Sequence, residues 1–242
     1  MDSQIKISEL RDEISEELNR SQLDYGKLIQ LSLKLAEQDS NFVRFSVDAG
    51  HICRLGKELV GRQETAVAEL VKNAFDADAS FVELTFSDAE SCGGSLEIYD
   101  DGNGMTREQI TQSFMRLSTS EKIHRPISPL HLRPRAGRKG IGRFAAQRLG
   151  NELILLTRSR EQAATFKLCI DWNKFERDLD LQLIENRLEK LDSLRPSGTT
   201  LTINDLCDSW NETQIRRIYR YVSSLIQPFP LAQKAQSNSK DP

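Results

Sequence analysis

Apolar residues in the first third of this chain recur at helical spacing and later alternate as in strands. Between residues 4 and 37, Ile7, Leu10, Ile14 and Leu18, then Leu28, Leu31 and Leu35, stand three or four apart among charges. That spacing predicts two amphipathic helices, broken at 24–26 by the turn-prone "DYG". "NFVRFSVD" (41–48) alternates and predicts a short strand, and residues 50–60 and 62–78 read as two successive helices. "FVELTFS" (81–87) and "GSLEIYD" (94–100) are expected strands joined by "DAESCGG". Thr106 and Gln109 form a capping-box signature for a helix through about Leu117. A loop rich in Ser, Pro, Arg and Gly occupies 118–139, and "IGRFAAQRLG" is a helix ending on Gly150. Strands are expected at 151–158, 164–171, about 179–186 and 199–205, followed by a closing helix at 211–226.

This order argues for an α+β fold, a two-layer sandwich of one mixed, mostly antiparallel sheet covered by helices on one face. It divides the chain into an N-terminal helical segment (1–40), a main domain (41–228) and a polar tail or linker (229–242).

Composition changes little. A net charge of −3 over 242 residues gives no global attraction to nucleic acid or anionic lipid, so any such contact would need a local patch. Cys53, Cys92, Cys169 and Cys207 form no C-x-x-C pair and have no histidine at zinc-ligand spacing, which fits free thiols in a reducing compartment. The charged N-terminus is unlike a signal peptide and no apolar run has the length of a membrane span, so the expected location is the cytoplasm.

Chemistry enters with "AVAELVKNAFDADAS" (66–80). At about 100° per residue, Glu69, Asn73 and Asp76 fall on one narrow stripe, opposite Val67, Leu70, Val71 and Ala74. A solvated polar face is the ordinary explanation for an isolated helix. "IYDDGNGM" (98–105) runs a strand into glycines, so that Asp100 could accept a hydrogen bond from an exocyclic amine of a flat ligand. Taken alone it is an Asp-Gly hairpin turn. A calcium loop counted from Asp101 fails because its fifth position is Met105. "AGRKGIGRFAA" (136–146) sets Gly137, Gly140 and Gly142 at a helix start, where backbone N–H groups favour phosphate. It lacks the Gly-Lys-Ser/Thr of a Walker loop, and a Pro/Arg loop precedes it where a dinucleotide-binding turn needs a strand. Lys122, Arg125, Arg133, Arg135, Arg138, Lys139 and Arg143 make 122–143 a basic run without acids. It is either a solvated loop or a phosphate-neutralising one.

In sequence these segments read E-x-x-x-N-x-x-D-A, D-x-G-x-G-M, a Ser/Thr-containing loop, G-x-x-G-x-G and "GTTL". That succession, over roughly residues 42–206, resembles the GHKL ATPases of the Bergerat fold: gyrase B, the large heat-shock chaperone, MutL-type repair proteins, MORC proteins and histidine-kinase catalytic domains. The resemblance implies ATP and Mg²⁺ as ligands. It implies Asn73 as the Mg²⁺ residue, Glu69 as the general base for an attacking water, and Asp76 as a wall of the nucleotide pocket. Asp100 would read the adenine amine, with Gly102, Gly104 and Met105 around the base and Thr199 supporting Asp100. Thr119, Ser120 and Lys122 would belong to a lid, while Gly137, Gly140, Ile141 and Gly142 would present amides to the phosphates.

The function implied is a slow ATP hydrolase acting as a conformational or dimerising switch, as the N-terminal part of a longer protein whose following domain supplies a cationic γ-phosphate contact. One alternative is a histidine-kinase catalytic domain, for which His51 is the only upstream phosphoacceptor and is not followed by an acid. Another is a nucleic-acid or client-binding module using the basic 122–143 run.

Overall fold

A computed structural model describes residues 2–117, 127–135, 142–176, 178–192 and 195–225. Helices α1 (Asp2–Leu18) and α2 (Tyr25–Glu37) form an antiparallel pair. The predicted break at 24–26 is a helix start, where Asp24 accepts from the Lys27 N–H at 2.9 Å as N-cap. Glu17 is buried between the two helices, 3.2 Å from Arg20 and 3.3 Å from Lys27, and accepts from the Asp24 N–H.

Helices α3 (Gly50–Leu59) and α4 (Gln63–Asp76) follow, then strands β1 (Val82–Ser87) and β2 (Ser95–Asp100). The capping box at Thr106 and Gln109 forms as read, with both reciprocal bonds present, and opens α5 (Arg107–Gln109). A π-helical turn, Ile110–Phe114, continues it and stops short of the expected Leu117. Helix α6 (Gly142–Leu149) leads into β3 (Gly150–Arg158), β4 (Thr165–Asp171), β5 (Arg187–Leu191) and β6 (Gly198–Leu206), and α7 (Glu212–Leu225) closes the described chain.

Among the described residues the six strands pair antiparallel throughout, in the order β1-β2-β6-β3-β4-β5. Helices pack on one face, with α4 against both α6 and α7 and α3 against α6. This is the α+β sandwich expected.

Two predicted strands do not form among the described residues. Residues 41–47 carry the right alternation but find no sheet edge, and Phe42, Val43 and Phe45 are exposed. Only Asp48 makes a bridge, to Asp180. The 179–186 stretch turns instead into a 3-10 helix, Leu181–Leu183, because the Asp180 carboxylate captures the Gln182 N–H at 2.9 Å. The strand partner of β4 is β5, just beyond it.

The register explains where a site can form. Leu96, Ile203, Leu153 and Ile170 are cross-strand partners in β2, β6, β3 and β4 and are all buried. Ile98, Leu201, Leu155 and Leu168 make the next row on the same face. Two residues further along, the period-2 alternation of the strands brings Asp100, Thr199 and Thr157 into line. The helix-covered face of the sheet thus changes from hydrocarbon to carboxylate and hydroxyl at one end.

Candidate functional site

The polar row floors a cleft of about 560 Å³. Its walls come from α4 (Leu70, Asn73, Asp76), the loop after β2 (Asn103, Gly104, Met105), Pro129, Leu130 and Arg135, and the β3–β4 turn (Ser159, Arg160, Glu161). Of the residues singled out in the sequence, Asn73, Asp76, Asp100, Gly104, Met105 and Thr199 meet in this cleft. Gly102 lies directly beneath, its N–H donating to Asp100 at 2.9 Å. Gly142 is the first residue of α6. Thr119, Ser120, Lys122, Gly137, Gly140 and Ile141 lie outside the described residues.

Asp100 is 7% exposed at the end of β2. Burial pushes its carboxyl up to about 6, against the backbone N–H groups of Gly102 and Thr199, which favour the ionised form. The row beside it is closed by Thr157, which is fully buried. Its hydroxyl accepts from the Met105 N–H at 3.0 Å and lies 3.1 Å from both the Gly198 carbonyl and the Thr199 hydroxyl. This geometry is satisfied when Thr157 donates its one proton to Gly198 and Thr199 donates to Thr157.

Two glycines allow the backbone to close on this end. Gly104 has φ +62° and a Cβ there would run into the Arg158 carbonyl; Gly198 has φ +136° and a Cβ would strike the Asp100 carbonyl. No other residue fits either position.

On α4 the predicted stripe divides. Asn73 and Asp76 face the cleft, whereas Glu69 is not part of the described wall. Its carboxylate is 2.6 Å from the Lys72 ammonium, both side chains about one quarter exposed. The hydrogen bond to Glu69 holds the Lys72 pKa above the ordinary lysine value. Val67, Leu70, Val71 and Ala74 are buried, as the opposite face required.

Sequence reasoning passed over Asp78. It is fully buried, has φ +61°, and accepts from the Leu130 and His131 N–H groups and the Asn103 amide, each at 3.0 Å, and from Ser128. The available signal was an Asp just past a helix end, where Asp tolerates the left-handed region better than most residues. The Thr157 role had no sequence signal, since it depends on register across three strands. His51 sits exposed on α3. Among the described residues, no three His, Cys, Asp or Glu side chains converge as a metal cluster, and no helix is long and apolar enough to cross a membrane.

The cleft sets a buried carboxylate beside an Asn/Asp helix stripe. The family model described as "Histidine kinase-, DNA gyrase B-, and HSP90-like ATPase" matches residues 62–199, and the chain belongs to that family. It is similar to the DNA mismatch repair protein MutL of Deinococcus radiodurans, 30% identical over 161 residues, covering 64% of this chain and 26% of that protein. It is also similar to ATPase morc-1 of Caenorhabditis elegans, 35% identical over 136 residues, covering 56% and 13%. The MutL of Bacillus licheniformis is 42% identical over 65 residues, covering 26% and 10%. The chain therefore spans about a quarter or less of the length of these curated relatives.

Proposed function

We propose that this chain binds ATP with Mg²⁺, hydrolyses it slowly, and works as an ATP-dependent conformational switch that pairs two copies. The observation that carries the reading is the buried, amide-bonded Asp100 at the floor of a cleft whose other wall is the Asn73–Asp76 stripe. Asp100 accepts from the adenine amine, and it is burial that holds its carboxyl high while Gly102 and Thr199 donate to it. Guanine offers a carbonyl at that position, which would face the carboxylate without a proton between them.

The donor set on α4 fits a magnesium ion, which Asn73 would hold through its amide oxygen. When bound, the ion neutralises phosphate charge. Glu69, one turn before Asn73, orients and deprotonates the attacking water. In the present structure Lys72 holds that carboxylate, so the base must exchange an ammonium for a water before it acts.

Glu69→Ala should bind ATP as the wild type does and release phosphate about 10²–10⁴ times more slowly. Acid-labile ³²P on His51, with little free phosphate, would overturn hydrolysis in favour of phosphoryl transfer.

A further inference from the structure

The wall segment 127–135 lies in the middle of the stretch that sequence reasoning treated as one long lid, yet it is clasped to α4 from both sides. Asp78 reaches from the end of α4 to the Leu130 and His131 N–H groups. Arg133 reaches back, donating to the Ala79 carbonyl at 2.7 Å with its guanidinium 4.6 Å from the centre of the Phe75 ring. Ser128 and Arg133 close the turn on itself through a backbone bond of 2.9 Å and a side-chain bond of 3.0 Å. Ile127 and Pro134 bridge its ends.

The next residue, Arg135, lines the cleft, and its Nε is buried with no hydrogen-bond partner among the described residues. A guanidinium N–H left so costs free energy until an acceptor arrives. Arg160 is the other cation in the described wall, and its guanidinium already donates to the Asp101 carbonyl. The base end of the cleft is taken by Asp100, so an anionic acceptor for Arg135 belongs to the remainder of a nucleotide.

We propose that Arg135 is a phosphate-binding residue of this cleft, and that Asp78 is the positioning residue that holds it there by clasping segment 127–135 to α4. The proposal rests on the nucleotide reading above. It picks out one residue of the basic 122–143 run as the cationic phosphate contact within this chain. Arg suits the task because its planar fork binds phosphate oxygens in pairs and keeps its charge at any working pH. Asp78 keeps its charge as well: burial would raise its carboxyl, but the bonds from Ser128, Leu130, His131 and Asn103 bring it down to about 2.

The test compares ATP with adenosine, which lacks phosphate, by calorimetry without metal. Arg135→Gln should weaken ATP by about tenfold or more and adenosine by less than about twofold. Asp78→Gly removes the clasp at a position whose φ suits glycine, so the chain should still fold, at a melting temperature lowered by the lost bonds. That variant should lose amide protection at Leu130 and His131 by hydrogen exchange, and should weaken ATP several-fold while leaving adenosine unchanged. Unaltered ATP affinity in Arg135→Gln, or retained Leu130 and His131 protection in Asp78→Gly, overturns the proposal. A wild-type chain that binds adenosine but gains nothing from phosphate also overturns it and leaves the adenine site standing. A wild-type chain that binds neither ligand overturns the nucleotide reading and this inference together.

Discussion

The base end of the cleft and its clasped wall are each built on a buried aspartate, and the two carboxyls shift in opposite directions. Asp100 has two backbone N–H donors and sits at about 6; Asp78 has four donors and sits at about 2. Desolvation acts against both. It outweighs the two donors at Asp100, whereas at Asp78 the four donors outweigh it. A carboxylate whose lone pairs are all used is a tether, and one with capacity to spare can read a ligand. The pair also separates by pH. Asp100, raised above its unfolded value of 3.8, favours folding most below that value, and the contribution is lost as pH rises toward about 6. Asp78, lowered, stabilises the fold above 3.8, and loses that contribution only as pH falls toward about 2.

The largest expected break in this comparison is Asp100→Asn. It should weaken ATP and ADP together by about 1–3 kcal/mol, roughly five- to 150-fold, with the fold intact. Equal calorimetric affinities of the wild type for ATP and GTP would show that Asp100 does not read the base. Asp78→Asn should act on stability, because Leu130 and His131 donate to separate oxygens and the NH₂ group turns a donor toward one of them. A loss of about 1–3 kcal/mol in urea unfolding is expected, and a variant as stable as the wild type would show that Asp78 is no tether.

A pH series sharpens the same contrast without mutation. Adenosine affinity should fall several-fold between about pH 7.5 and 5 as Asp100 takes up a proton, and should be flat in Asp100→Asn. Amide protection at Leu130 and His131 should persist to about pH 4, since Asp78 is still ionised there. The smallest effect is Thr157→Val, which strips the Met105 N–H and the Gly198 carbonyl of a shared partner; about 1–2 kcal/mol of stability should go, with nucleotide affinity changed far less.

Much of the frame is legible in the amino-acid sequence because it depends on local periodicity. The α4 stripe, the capping box at Thr106 and the hairpin β1–β2 each follow from residues within a few positions of one another. The failures have one physical form. Residues 41–47 alternate like a strand, but alternation does not supply an edge to pair with. At 179–186 a single Asp180 side chain displaces the ladder as partner of a backbone N–H. Asp78 and Thr157 leave no local pattern for the same reason: their partners, Leu130 and His131 in one case and Met105 and Gly198 in the other, are brought in by distant segments.

Strand β6 follows the other five strands among the described residues yet lies in the middle of the sheet, between β2 and β3. A polypeptide leaving the ribosome N-terminus first can form β1–β2 and β3–β4–β5 as separate hairpin units, but no ladder joins them until Gly198–Leu206 has emerged. Until then each unit shows an open edge to other chains, and Asp100 lacks the Thr199 N–H that completes its surroundings. Pairing over such separations is slow to form. Until Gly198–Leu206 has emerged, the nascent chain therefore carries two sticky half-sheets and no formed cleft, and it becomes able to hold a ligand there only when β6 is threaded between them.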